Sequence, residues 1–338
     1  MAEISVEGSG QFFACARSDT LLAGGLRAGL GMPYECTAGA CGTCKFELLE
    51  GDVEVLWDDA PGLSTRDRAK NRKLACQCRP LTDCRIKMRF DEACRPLANP
   101  CNQTAMLIAT NDITHDIREF RFATGTTATF LPGQFATLQL PGVRGTRAYS
   151  MSNLPNDEGE WHFQVRRVHG GSASNALFDQ LRVGDQITLD GPFGMAFLRE
   201  GSARDVVCIA GGSGLAPMVS IARSMASTGQ LASRRLHFFY GARTQRDVCG
   251  EALLESLPGF GERIRFYSSV SSTKEQEDPC WSGRVGFIHE YVAEVVGANP
   301  HGHDYYMAGP PPMIQAVLDT LQKLHKVDKS QIYFDRFF

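Results

Sequence analysis

Cys36, Cys41 and Cys44 crowd one short stretch, and Cys76 follows alone after a long gap. The spacing C-x4-C-x2-C plus a distant fourth cysteine is the ligand set of a plant-type [2Fe–2S] cluster. The stretch from Tyr34 to Lys45 reads YECTAGACGTCK, with small residues in every gap between the cysteines. Backbone N–H groups can then approach sulfur, and Gly39 and Gly42 supply the turns that β-carbons resist. The competing reading is a zinc site made from Cys41-x2-Cys44 and Cys76-x-Cys78. Zinc favours two short cysteine pairs of ordinary spacing, and Cys36 would then be unexplained. A Rieske centre requires histidine ligands beside the cysteine pairs, and no Cys-x-His occurs. A one-electron carrier of this kind implies a chain that moves electrons.

Composition narrows the setting. The length of 338 residues suits two or three domains, and 43% hydrophobic with 22% charged residues is ordinary for a globular chain. A net charge of −3 gives no reason to expect a nucleic-acid partner. No apolar run reaches the length of a membrane span, so no membrane association is expected. The start, MAEIS, lacks the basic and apolar regions of a secretory signal. Twelve cysteines in such a chain read as reduced thiols in a cytoplasm rather than as disulfides. Cys15, Cys78, Cys84, Cys94, Cys101, Cys208, Cys249 and Cys280 show no ligand spacing and read as small hydrophobes or bystanders.

Three segments follow one another. Residues 1–97 combine a helix from Thr20 to Leu30, capped by Ser18 or Asp19, with strands at Lys45–Glu50 and Arg85–Phe90, an α+β ferredoxin pattern. Residues 91–104 carry Pro96, Asn99, Pro100 and Asn102 and read as a linker. Residues 98–200 hold short strands at 105–110, 119–122, 134–140 and 161–165, separated by Pro-Gly turns, which predicts an antiparallel β-barrel. In residues 201–338, buried strands at 205–210, 236–240 and 304–307 alternate with helical stretches such as Leu215–Ser227. That alternation predicts an α/β domain with a parallel sheet.

Four more groups of residues suggest ligands. In Arg147-Ala148-Tyr149-Ser150, Arg147 and Ser150 are expected to point one way as one polar edge, while Tyr149 presents an aromatic face. His169-Gly170-Gly171-Ser172-Ala173-Ser174 opens a helix-like stretch, where backbone N–H groups can hold a phosphate. Gly211-Gly212-Ser213-Gly214-Leu215-Ala216-Pro217 joins a buried strand to a helix without being a strict G-x-G-x-x-G or a Walker loop. Ala308-Gly309-Pro310 follows another buried strand. Two such loops at the carboxyl ends of parallel strands mark the place where an open α/β sheet binds ligands. Each group, taken alone, is also compatible with tight packing and no ligand.

In this order the motifs resemble the NADH-dependent ferredoxin reductase components of bacterial aromatic-ring oxygenases, over nearly the whole chain. The resemblance implies a multidomain protein: a plant-type ferredoxin domain, a flavin-binding β-barrel and a nicotinamide-binding α/β domain. It implies that Cys36, Cys41, Cys44 and Cys76 ligate iron. Arg147 would bind the FAD pyrophosphate, with help from Gly171 and Ser174. Tyr149 would pack on the isoalloxazine, and Ser150 would sit near its N5. Gly211, Gly212, Ser213, Gly214 and Pro217 would form the NADH pyrophosphate loop, joined by Gly309 and Pro310, with Gly241 and Arg243 on the adenosine side. Phe337 would cover the flavin face that nicotinamide must reach, and Asp335 would lie near hydride transfer. The family usually carries Cys where this chain has Ala308, which leaves nicotinamide positioning open.

The expected reaction runs from NADH through FAD to the cluster, and on to a ferredoxin or oxygenase component of a monooxygenase system. A Rieske dioxygenase system is the alternative, and a monomer is expected. Arg243 and Arg246 leave NADPH open as the donor. The acidic run Glu47, Glu50, Asp52, Glu54, Asp58, Asp59 and the basic run Arg66, Arg68, Lys70, Arg72, Lys73 are either solvated surface or a docking face.

Overall fold

The computed structural model describes residues 1–271 and 281–338, so Cys280 lies outside the described residues. The first sheet is built from β1 (Ala2–Val6), β2 (Gln11–Cys15), β3 (Lys45–Glu50), β5 (Arg72–Leu74) and β7 (Cys84–Lys87), in the order β2-β1-β7-β3-β5. A small two-stranded sheet joins β4 (Val53–Val55) to β6 (Cys78–Pro80). Helix α1 (Leu21–Arg27) lays Leu21, Leu22 and Leu26 into the core beneath the sheet. Its cap is Thr20, whose hydroxyl accepts from the Ala23 N–H at 3.2 Å, not Ser18 or Asp19 as the sequence suggests. The capping side chain sits on the residue just before the first helical one, and Thr20, in extended backbone before Leu21, holds that place. Helix α2 (Thr65–Ala69) is a single turn closed by a capping box between Ser64 and Asp67.

The first strand of the second unit begins earlier than the expected 105. β8 (Cys101–Asp112) takes up the last residues of the stretch read as a linker. Cys101–Thr104 pair with β13 (Gln186–Phe193), and those ladder bonds override the turn-forming character of Asn102. With β9 (Ile117–Thr124), β10 (Phe135–Gln139), β11 (Arg147–Ser150) and β12 (Glu160–Arg166) the order is β11-β10-β13-β8-β9-β12, antiparallel throughout. The two edges meet through a Met151–Phe163 bridge, and the Ser152 N–H donates to the His162 carbonyl at 2.8 Å. The sheet therefore closes into the expected barrel, which removes its exposed edges. Trp161, Phe120, Phe122 and Phe163 fill the interior.

The third unit is a parallel sheet of β14 (Asp205–Gly211), β15 (Leu236–Ala242), β16 (Ile264–Val270), β17 (Arg284–Val285), β18 (His303–Gly309) and β19 (Ile332–Arg336), ordered β17-β16-β15-β14-β18-β19. β14 and β18, both interior strands, are buried along nearly their whole length, as a sheet covered on both faces requires. Helix α4 (Leu215–Ser227) packs with one apolar cluster of the sheet, whereas α6 (Ile288–Val296) and α7 (Pro311–Leu318) pack with the other. The strand order reverses beside β14, and the loops after β14 and β18 lie next to each other there.

Contacts fix the three units to one another. Tyr34 reaches from the first unit into the core containing Phe135 and Phe193, and accepts the Gly194 N–H at 2.9 Å. Arg27 pairs with Asp190 at 2.6 Å. Ser220 and Arg223 of α4 donate to the Asn153 and Ser152 carbonyls of the barrel, each at 2.7 Å.

Candidate functional site

The four cysteines of the opening motif converge as two pairs. Cys36 and Cys41 place their Sγ atoms 3.2 Å apart, and Cys44 and Cys76 place theirs 3.3 Å apart. The distant Cys76 arrives because the Ala75 N–H bonds the Cys44 carbonyl at 2.9 Å where β5 ends beside β3. The Cys41 N–H points at Cys36 Sγ at 3.3 Å, and the Thr43 N–H points at Cys41 Sγ at 3.4 Å. The loop reaches this geometry through left-handed Gly39 and Gly42, where a β-carbon on Gly42 would overlap the Gly62 carbonyl. The hydrogen bond from its partner thiol lowers Cys41 to about 5, and the same arrangement lowers Cys44. Cys36 and Cys76 are raised, first by donating those hydrogen bonds. Four convergent sulfurs with N–H donors aimed at two of them suit a thiolate-ligated [2Fe–2S] cluster. Cys78 is buried and pushed up to about 12 by desolvation, and the sulfur that meets Cys76 is that of Cys44.

The barrel positions the next group. On β11 side chains alternate, so Arg147 and Tyr149 share a face and Ser150 belongs to the other. The pairing of Arg147 with Ser150 as one polar edge is thereby corrected. Tyr149 packs against the barrel core, Ser150 is buried, and Arg147 is exposed. The Arg147 guanidinium turns back onto the Thr146 and Arg144 carbonyls at 2.9 and 3.3 Å. Ser174 accepts the Val168 N–H at 3.1 Å, and this ties the loop through Gly170 and Gly171 into a tight turn. The helix expected to open there, α3 (Ser172–Asn175), is one turn followed by a widened turn at Ala176–Gln180. One turn carries little macrodipole, so any phosphate held here relies on loop N–H groups and Arg147.

The two glycine loops press together. A β-carbon on Gly214 would overlap the Ala308 carbonyl, and one on Gly309 would lie 3.1 Å from the Gly211 carbonyl. Gly212 and Gly309 both take positive φ. Tyr240 donates to the Gly212 carbonyl at 3.3 Å, and Pro217 is buried in the first turn of α4. This is a cradle that only glycine leaves open, beside Ser213. Gly241 is explained by packing, since a β-carbon there would meet Ile288 of α6 at 3.1 Å. Arg243 and Arg246 are exposed beyond β15.

The C-terminal residues close the site. β19 pairs with β18 so that Asp335 lies opposite Ala308, and the Phe337 N–H donates to the Gly309 carbonyl at 2.9 Å. Phe337 is half-buried on that loop. Asp335 is buried with one carboxylate oxygen unpartnered among the described residues. Desolvation, reinforced by the nearby Glu35 charge, lifts it to about 8.

Two features carried no sequence signal. Glu35, next to Cys36, takes a hydrogen bond from Arg336 at 3.1 and 3.3 Å to its two carboxylate oxygens. With Tyr34 bonded to the barrel, the two residues before the first cysteine reach the other two units. Arg166 of β12 pairs with Asp116 at 2.6 Å and lies 3.5 Å from the β-carbon position of Gly212, which links the barrel to the glycine loop after β14. Neither partner could be predicted without the long-range register.

Residues 4–81 match the 2Fe-2S iron-sulfur cluster binding domain, 104–197 the oxidoreductase FAD-binding domain, and 208–319 the oxidoreductase NAD-binding domain. Three such domains in one polypeptide define an iron–sulfur flavoprotein oxidoreductase. The chain is 41% identical over its full length to the full-length ferredoxin–NAD(P)+ reductase CarAd of Metapseudomonas resinovorans. It is 35% identical to the xylene/toluene monooxygenase electron transfer component XylA of Pseudomonas putida, over 99% of this chain and 93% of that one. The solved ferredoxin reductase in carbazole 1,9a-dioxygenase superposes with a TM-score of 0.91 at 37% identity, over 100% of this chain and 98% of that one. The chain belongs to the ferredoxin–NAD(P)+ reductase components of multicomponent mono- and dioxygenases. No helix among the described residues is long and apolar enough to cross a membrane.

Proposed function

We propose that this chain oxidises NADH and delivers single electrons to the ferredoxin or oxygenase component of an aromatic-hydrocarbon monooxygenase. FAD supplies the conversion of a hydride into single electrons, and the [2Fe–2S] cluster supplies a one-electron carrier. Cys36, Cys41, Cys44 and Cys76 would hold the cluster. Arg147, Tyr149, Ser150, Gly171 and Ser174 would hold FAD. Gly211–Gly214, Pro217, Gly309 and Pro310 would hold the dinucleotide, with Gly241 and Arg243 toward its adenosine end. Ser150, Asp335 and Phe337 would line the hydride-transfer position. The domains would span 1–97, 98–200 and 201–338.

One observation carries the reading: Tyr34 and Glu35 tie the start of the cysteine loop to the barrel and to β19, which places the thiolates beside the flavin and nicotinamide units. A buried Asp335 held neutral can donate a hydrogen bond, and a half-buried Phe337 can shield that position from water. The buried Ala308 would offer nicotinamide no thiol. A Rieske dioxygenase system is the second reading, favoured by the likeness to the carbazole 1,9a-dioxygenase reductase. NADH as donor rests on resemblance, whereas the exposed Arg243 and Arg246 would suit the 2′-phosphate of NADPH. Reduced thiols as ligands fit a cytoplasmic protein, and we expect a monomer.

The test is an anaerobic titration with each nucleotide followed by absorption. Bleaching of both the flavin and the iron–sulfur bands by stoichiometric NADH is expected. Zinc in place of iron, or no bound flavin, would sink the assignment. Reduction of purified monooxygenase against dioxygenase acceptors separates the two readings.

A further inference from the structure

At the amino edge of the parallel sheet, opposite the glycine loops, three side chains meet that the electron path does not use. Asp205 opens β14, His303 opens β18, and His237 is the second residue of β15. In register, Asp205 pairs with His303, and Val207 pairs with His237. Register partners share a face, and Asp205 and Val207 lie on the same side of their strand, so all three side chains project to one side. A carboxylate oxygen of Asp205 and one ring nitrogen of each histidine lie within 4.8 Å of one another. The site is about 20 Å from the glycine loops, at about 3.3 Å per residue along the strands.

The surroundings orient these groups. His303 Nδ1 faces the Asn299 carbonyl at 2.9 Å. A carbonyl can only accept, so Nδ1 carries the hydrogen and Nε2 keeps a lone pair. His237 Nδ1 faces the Tyr267 hydroxyl at 3.3 Å, and its ring stacks on that phenol. Asp205 accepts the Arg235 N–H at 2.7 Å. Such outer contacts to carbonyl, hydroxyl and backbone N–H are what hold metal-binding imidazoles and carboxylates in place. Burial lowers both imidazoles, which keeps them neutral. Ligands on a tetrahedral zinc ion lie roughly 3.4 Å apart at bond lengths near 2.1 Å. Small side-chain adjustments from 4.8 Å would bring them there.

We infer that Asp205, His237 and His303 bind a divalent transition-metal ion of the zinc type, clipping β14, β15 and β18 together at the sheet edge remote from the redox site. Two imidazoles favour such an ion over magnesium or calcium, which prefer oxygen donors. Three protein ligands leave a position for water.

The holoprotein, with FAD and cluster bound, is given one equivalent of Zn²⁺ and gel-filtered, and iron, flavin and zinc are quantified. Zinc-edge X-ray absorption then reads the ligand shell, which the iron does not obscure. Retention of about one zinc per chain in a nitrogen/oxygen shell is expected, with NADH-to-dye activity unchanged. His237→Gln and Asp205→Asn, at half-buried positions, should each weaken zinc binding by at least about tenfold while iron and flavin contents stay normal. No retained zinc, a sulfur shell, or undiminished binding in both variants would overturn the inference. The absorption readout on the unmodified protein decides the matter even where a variant folds poorly.

Discussion

The Glu35–Arg336 contact should hold the cysteine loop against the C-terminal strand, and its worth can be bounded. One guanidinium nitrogen sits 3.1 and 3.3 Å from the two Glu35 oxygens, with the side chains 18% and 23% exposed. At an effective dielectric near 20, the gross attraction is about 5 kcal/mol. Desolvation takes most of that back, because burial keeps the Glu35 carboxyl above its ordinary value even with Arg336 beside it. A net coupling of about 1–2 kcal/mol is left, and a double-mutant cycle over Glu35→Gln, Arg336→Ala and the pair should return it. The pH dependence follows from the sign of the shift. A carboxyl raised in the folded state binds protons there that the unfolded chain releases. Its cost is therefore absent below the unfolded value and grows as pH rises through the raised one. Arg336→Ala should accordingly lose more stability at pH 8 than at pH 4.5, by thermal melts of the holoprotein. It should also slow reduction of a one-electron protein acceptor severalfold while sparing reduction of a hydride-accepting dye by NADH. A coupling near zero, or an equal fall in both activities with FAD still bound, would refute the tether.

Cys41→Ser should remove the cluster and protein-acceptor reduction yet leave NADH-to-dye turnover, checked by iron content and stopped-flow absorbance. Gly214→Ala should cost about 1–3 kcal/mol and weaken nucleotide binding, since its methyl meets the backbone carbonyl of Ala308 rather than a movable side chain, as melts and an NADH titration would show. Asp335→Asn should flatten the loss of stability between pH 5 and 9, because the native acid, lifted to about 8, becomes more costly as pH climbs through that value; a parallel pH profile in both proteins would exclude this. Reversing Asp58 and Asp59 to Lys should steepen or invert the salt dependence of acceptor reduction, and an unchanged slope would remove that patch as the docking face.

What was legible in the sequence was local. The cysteine spacing, the strand–glycine–helix junction at Gly211–Gly214 and the alternation of buried strands each encode their meaning within about ten residues, where backbone geometry and periodicity act directly. The cap at Thr20 and the facing of Ser150 are set locally, but the linker and the charged runs are decided by distant partners. Asn102 and Thr104 look like linker residues until Asp190 and Thr188 of β13 pair with them. The basic run before Cys76 looks like free surface charge, yet Arg68 donates to the Asp58 and Ala60 carbonyls, and Lys45 and Arg72 both pair with Asp67. Part of that charge therefore shapes the loop next to the cysteines while the side chains that carry it stay exposed. Asp335 was locatable in the sequence and its state was not, for a like cause. Its place before Phe337 is written in the last four residues, whereas its neutrality depends on burial and on the charge of Glu35, a side chain about 300 positions away. A motif thus fixes which atoms can do chemistry, while the protonation state in which they do it is set by the domain packed over them.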